Sequence, residues 1–106
     1  DGVIGGVCVR ELNLLNRSAE IEIFAEPELK KLGEFTDGVL ALIGHLFRTY
    51  NLNSLYSQTT AADSRTSAAL EELGFSRDGA LRHRHFYQGE FGDVYIYSLL
   101  RYEFEM

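Results

Sequence analysis

The sequence predicts a single mixed α/β (α+β) domain whose elements run strand, strand, helix, strand, helix, strand, strand. Three observations carry that prediction. Five short runs are rich in β-branched or aromatic residues, two stretches between them place apolar side chains at helical spacing, and turn signals mark the junctions. At 106 residues, 45% hydrophobic and with one proline, the chain suits one core rather than two. No internal repeat, low-complexity tract or linker interrupts it.

The first strand is read over residues 3–9, VIGGVCV, with Cys8 as a small buried hydrophobe. After the polar break ELNLLNRS comes AEIEIFA, which alternates cleanly: Ala19, Ile21 and Ile23 face one way, and Glu20, Glu22 and Phe24 the other. Pro27 lacks an amide donor and pushes Glu26 toward an extended backbone, so the strand stops and the loop PELKKLGEF begins. Thr36 reads as the cap of the longest helix. Its stripe is Val39, Ile43, Leu46 and Tyr50, widened by Leu40 and Phe47. Gly38 and Gly44 each cost that helix about 1 kcal/mol relative to alanine, so packing rather than propensity has to hold it. His45 takes a boundary position on it.

Residues 55–59, LYSQT, form a short strand, and Asp63 is the N-cap of a second helix with Thr66, Ala69, Leu70 and Leu73 inward. Gly74 stands where a left-handed cap belongs. The runs LRHRHFY and DVYIYSLL flank Gln88 and Gly89 and close the fold as an antiparallel hairpin. On that hairpin His83 and His85 share a face without a third ligand. They read as an outward polar face rather than a metal site.

A formal charge of −6 argues against a nucleic-acid partner, whose affinity rests on basic side chains releasing counterions, and favours cationic small molecules or basic peptides. One cysteine excludes an internal disulfide, and no Cys/His cluster suggests structural zinc. No apolar run reaches the ~20 residues that cross a bilayer, and no signal-peptide pattern opens the chain, so a cytoplasmic location is expected. The chain starts at Asp1 and Gly2 and enters a strand almost at once, which predicts a single domain over 1–106 that is truncated at its N-terminal side.

Taken in order, NRSAEI, PE with a basic glycine-bearing loop, a helix ending in LF, ALEELGF, GALR and QGEFGDVYIYSLL resemble the GNAT superfamily of N-acetyltransferases, in its ribosomal-protein and spermidine branch. The resemblance runs from Ile4 to Phe104. It implies a GNAT-like sheet in which the AEIEIFA and LYSQT strands part, opening a wedge for acetyl-coenzyme A, and direct transfer of acetyl to an amine acceptor. The family's first strand, first two helices and second strand have no counterpart here. Without them the first strand presents an unpaired edge that a second copy would cover, so a homodimer is expected.

The resemblance also implies where the cosubstrate is held. Contacts would come from Phe24 and Ala25 at the strand's end, then from the loop that follows. A pyrophosphate needs unpaired backbone N–H groups and the positive end of a helix dipole. In that loop the family places a basic residue or glutamine first, glycine fourth and glycine or alanine sixth, where this chain has Lys30, Gly33 and Phe35; Leu32 and Thr36 complete the segment. Lys30 and Lys31 offset the charge of Glu34. On its residues alone, the segment reads equally as an ordinary strand-to-helix connection with solvated lysines.

Asp63 stands where the family's asparagine meets the pantetheine arm, and an ionised carboxylate accepts hydrogen bonds without donating. The family's general-acid tyrosine falls at Leu70, which has no proton to give. The subgroup's hydroxyl falls at Thr66, with Ser67 beside it, although by residue type Thr66 can equally just pack. For the base, the implied candidates are Glu20, which matches the AEI signature, and Glu22; paired carboxylates raise one another's pKa. Solvated glutamates on an open strand face are the plainer account of the same pattern. Because Phe35, Asp63 and Leu70 depart from the family, the alternative is a catalytically degenerate module that binds or dimerises.

Overall fold

The computed structural model of the chain describes residues 5–25 and 32–105, the side chains of 5–7, 24–25 and 32–36 excepted. Val3, Ile4, Pro27, Lys30 and Lys31 therefore lie outside the described residues. Five strands form one sheet in the order β1-β2-β3-β5-β4: β1 Gly5–Asn13, β2 Ser18–Ala25, β3 Ser54–Thr60, β4 Ser76–Tyr87 and β5 Glu90–Leu100. β2 and β3 are parallel and the other neighbours antiparallel. The parallel pair requires a crossover, which α1 (Leu32–Thr49) supplies; α2 (Ser64–Glu72) joins β3 to β4 and α3 (Arg101–Phe104) follows β5.

The predicted element order holds, and a short final helix is added. The alternation in β2 also holds: Ala19, Ile21 and Ile23 are buried in one cluster with Val39, Ile43, Leu46 and Phe47 of α1, Leu70 of α2 and Leu73 at its C-cap, and Leu55, Tyr97 and Leu99 of the sheet. One buried polar group in this cluster is satisfied, since the Tyr97 hydroxyl donates to Glu71 Oε2 at 3.1 Å. Among the described residues, no helix is long and apolar enough to cross a membrane.

Four expectations are corrected. α1 begins at Leu32, not at a Thr36 cap, because Leu32 and Phe35 continue the apolar spacing of Val39 and Ile43 backward by more than a turn. It ends at Thr49, so Tyr50 falls beyond it and is exposed. Cys8 is exposed rather than buried: β1 is an edge strand, and Cys8 pairs with Glu22 on the polar face of the sheet. β1 runs on to Asn13, past the predicted end at Val9, since an edge strand tolerates the polar residues that suggested a break.

The punctuation read from single residues is found in place. Asp63 accepts from the Thr66 amide at 3.1 Å as the N-cap of α2. At the other end Gly74 has φ +102, and the amides of Gly74 and Phe75 reach back to the carbonyls of Glu71 and Leu70 at 3.1 and 3.0 Å, closing a Schellman motif. Gln88 and Gly89 both have positive φ, 53 and 82, the signature of a tight two-residue hairpin turn. The histidine segment is less regular than an alternating strand. Between Leu81↔Val94 and His85↔Gly92 the ladder bulges, His83 adopts φ 53, and its amide donates to Asp93 Oδ1 at 3.0 Å.

Candidate active site

The parallel pair is joined over three rungs only: Ser18↔Ser54, Ala19↔Leu55 and Glu20↔Tyr56. β2 then runs on to Ala25 held by β1 alone, and β3 to Thr60 held by β5 alone, with no further pair between them among the described residues. The two strands part as the family resemblance implies. The backbone N–H and C=O groups that line this wedge lack ladder partners and are available to an amide-bearing guest. Phe24 and Ala25 lie on its β2 wall, where their Cα partners across the sheet are Gly6 and Gly5.

Each wall of the wedge leads in the chain to a helix: β3 to α2 through residues 61–63, and β2 to α1 through residues 26–31, which lie outside the described residues. An α-helix leaves its first four N–H groups without intrahelical partners and carries the positive end of its dipole there. With α1 beginning at Leu32, these donors belong to the turn Leu32, Gly33, Glu34 and Phe35, one turn earlier than a Thr36 cap would place them. Thr36 is inside the helix. Lys30 and Lys31 lie outside the described residues.

At the start of α2 the Asp63 carboxylate takes two bonds from Thr66: the amide at 3.1 Å and the hydroxyl at 2.7 Å. The Thr66 hydroxyl thus donates to the cap. Ser67, the next residue, has a buried Oγ with no hydrogen-bond partner among the described residues. Leu70 is wholly buried in the core.

The two glutamates of β2 differ in environment. Glu22 is half-exposed and forms an ion pair with Arg10, Nη1 to Oε1 at 2.6 Å. Glu20 is only 9% exposed, on the last rung before the strands part. Burial pushes its carboxyl above the usual carboxylate range, acceptance by Glu11 of a hydrogen bond from the protonated carboxyl adds to this, and so do the charges of Glu11 and Glu22, against the opposing pull of Arg10. Across that rung Tyr56 is likewise pushed up, by burial first and then by the charges of Glu11 and Glu20. Glu11 and Tyr56 were not among the residues singled out by sequence. Tyr56 was readable as the neighbour of Glu20 once the parallel pair was placed; Glu11 was not, because a bulge brings it there.

A cleft of about 610 Å³ adjoins the end of β3 and the cap of α2, with Thr60 and Asp63 on one side and His85, Tyr87, Glu90 and Phe91 of the hairpin on the other. Its lining joins two carboxylates to aromatic rings, a combination suited to an organic cation. Among the described residues no three His, Cys, Asp or Glu side chains gather as metal ligands.

No protein-family model matches this chain. It is 29% identical over 106 residues to the putative ribosomal N-acetyltransferase YdaF of Bacillus subtilis, covering 99% of this chain and 58% of that protein. It is 29% identical over 92 residues to the spermidine N(1)-acetyltransferase of Vibrio cholerae, covering 87% and 53%. The solved spermidine N-acetyltransferase from Vibrio cholerae in complex with CoA and spermine superposes with a TM-score of 0.84 at 27% identity, over 99% of this chain and 62% of that one. The fold is that of the GNAT N-acetyltransferases. Within that superfamily the similarity is to the ribosomal-protein and spermidine branch, as the motif order suggests. The chain spans little more than half the length of these curated relatives.

Proposed function

We propose that this chain is the cosubstrate-binding part of a GNAT N-acetyltransferase that moves acetyl from acetyl-coenzyme A to a primary amine. The observation that carries the reading is the parting of β2 and β3 beyond Glu20↔Tyr56, each strand leading on to a helix. The unpaired strand edges suit the amide-rich pantetheine arm, and the free N–H groups of Leu32, Gly33, Glu34 and Phe35 suit a pyrophosphate. Glu20 takes the proton of the alkylammonium, since an amine is unreactive until deprotonated. The freed nitrogen attacks the thioester carbon, C–N forms as C–S breaks, and the proton that the acylated nitrogen then sheds balances the one taken up by the departing thiolate, leaving a neutral amide and coenzyme A thiol. Glu22, held by Arg10, contributes charge. Ser67, whose hydroxyl has no partner among the described residues, is better placed by its bonding than Thr66 to donate to the departing sulfur.

For the acceptor, the carboxylates and rings of the hairpin cleft favour a cationic amine such as a polyamine, in keeping with the spermine carried by the Vibrio cholerae relative. The free thiol of Cys8 is in keeping with a reducing, cytoplasmic setting. Titration calorimetry tests the reading: coenzyme A and acetyl-coenzyme A are expected to bind with a Kd of about a micromolar to a millimolar, the usual span for enzyme substrates. Absence of heat at millimolar ligand sinks it.

A second reading, assembly through an exposed strand, is favoured by β1. It is an edge strand among the described residues and carries Val9 and Leu12, both more than a third exposed. A homodimer paired along β1 is expected to sediment as a dimer at tens of micromolar, roughly the range where such contacts are populated. A stable monomer there removes it.

A further inference from the structure

In a regular antiparallel ladder Glu11 would face Ala19 and point into the apolar core, because its neighbour Arg10 pairs with Glu20 on the polar side. The register prevents this. Arg10 pairs with Glu20 and Asn13 with Ser18, so Glu11 and Leu12 together oppose the single residue Ala19, and Glu11 takes up a left-handed φ of 48. A side chain bearing Cβ is costly in that conformation. Strain of this kind persists where the surroundings over-determine it, and it gathers at working sites. Its effect here is to turn the exposed Glu11 side chain out of the core and onto the polar side of the sheet, next to the Arg10↔Glu20 rung, where it helps to hold the Glu20 carboxyl above the usual range.

We propose that the β1 bulge makes Glu11 a positioning residue for acetyl transfer, holding its carboxyl against Glu20 so that the pair receives one proton from the acceptor's ammonium and shares it. The inference rests on the acetyltransferase reading above. In the step, an N–H bond of the ammonium breaks, its proton bonds to a carboxylate oxygen of Glu20, and the electron pair stays on nitrogen for attack. Two carboxylates side by side repel; one proton placed between them removes that repulsion and forms a hydrogen bond, so the pair takes up the proton more readily than a single exposed glutamate. Glu20 suits this role because it is nine-tenths buried and stands on the last rung before the wedge opens. The other groups facing the pair are Arg10, bonded to Glu22, and Tyr56 across the rung. The Arg10 charge opposes protonation and those of Glu11 and Glu22 favour it.

The test is a titration of the protein carrying ¹³C-labelled glutamate side-chain carboxyls, with the Glu20 signal assigned by its loss in Glu20→Gln. The Glu20 midpoint is expected above that of the exposed glutamates, and at lower pH in Glu11→Gln, which keeps size and fold but cannot supply the second carboxyl. The acid limb of turnover against pH is expected to move down with it. A Glu20 midpoint in the ordinary range, or one that Glu11→Gln leaves in place, overturns the proposal. If Glu11→Gln relaxes the bulge, Glu11→Asp serves instead: its shorter carboxyl is expected to give an intermediate midpoint, and a midpoint equal to that of the unaltered chain again overturns the pairing. The titration needs no cosubstrate. Failure of coenzyme A binding would therefore count against acetyl transfer and not against the pair.

Discussion

Glu20→Gln is expected to lower acetyl transfer to a polyamine by about a hundredfold or more, the usual contribution of a positioned acid or base, with coenzyme A affinity unchanged. The substitution conserves shape at a buried position, so the loss reports chemistry and not collapse. The pH dependence of stability separates the two further. A carboxyl whose pKa is raised on folding keeps its proton to higher pH in the folded chain than in the unfolded one. Its contribution to stability is therefore present at low pH and declines as pH rises from the ordinary glutamate range through the raised value. Above the raised value the ionised Glu20 is a burden on the fold, and there the glutamine variant is expected to melt no lower than the unaltered chain. Steady-state kinetics with calorimetry of coenzyme A checks both halves; unchanged turnover removes Glu20 from the mechanism.

The largest stability effect is expected at Phe47. Its ring is 1% exposed in the cluster between α1 and the sheet, and lies 5.5 Å from the ring of Phe104, tilted by 43°. Truncation loses the transfer free energy of a buried ring and leaves a cavity in a close-packed core. Phe47→Ala is expected to destabilise by about 3–5 kcal/mol. Against a total of about 5–15 kcal/mol for a domain, that loss is severe. Urea unfolding followed by circular dichroism should show a large fall in midpoint at constant slope. A change of less than about 1 kcal/mol would mean that α1 does not depend on this contact.

Much of the fold was legible because local signals and burial agree. The period-two pattern of β2 names its buried face, the spacing of Val39, Ile43, Leu46 and Phe47 names the seam of α1, and Asp63, Gly74 and Gln88–Gly89 each occupy the special backbone position that their chemistry favours. The parting of β2 from β3 was legible only through family resemblance, since nothing in either strand's residues says where a ladder stops. What escaped the sequence has one cause, the dependence of a residue's surroundings on neighbours distant in the chain. Glu20 alternates like a solvated glutamate, yet it is buried, on the rung it shares with Tyr56. Cys8 sits in an apolar run, yet the strand is at an edge. Glu11 lies in a stretch that reads as a break between strands, and a bulge leaves no compositional mark. Thr66 passed for a free hydroxyl until the Asp63 carboxylate claimed it.

The closed end of the parallel pair is tied from several directions. The Asn53 amide donates to the Arg17 carbonyl at 2.7 Å and the Arg17 side chain to the Asn51 carbonyl at 2.9 Å, while Arg101 reaches the Asn51 side chain at 2.8 Å and, through its own amide, the Asn53 carbonyl at 2.8 Å. Like the spring of a clothes-peg, this knot fixes the jaw angle from behind. A molecule sliding between the jaws has nothing to unzip, so docking needs neither broken backbone bonds nor a slow rearrangement. Affinity then depends on what the visitor gains, because the gap is already there before it comes.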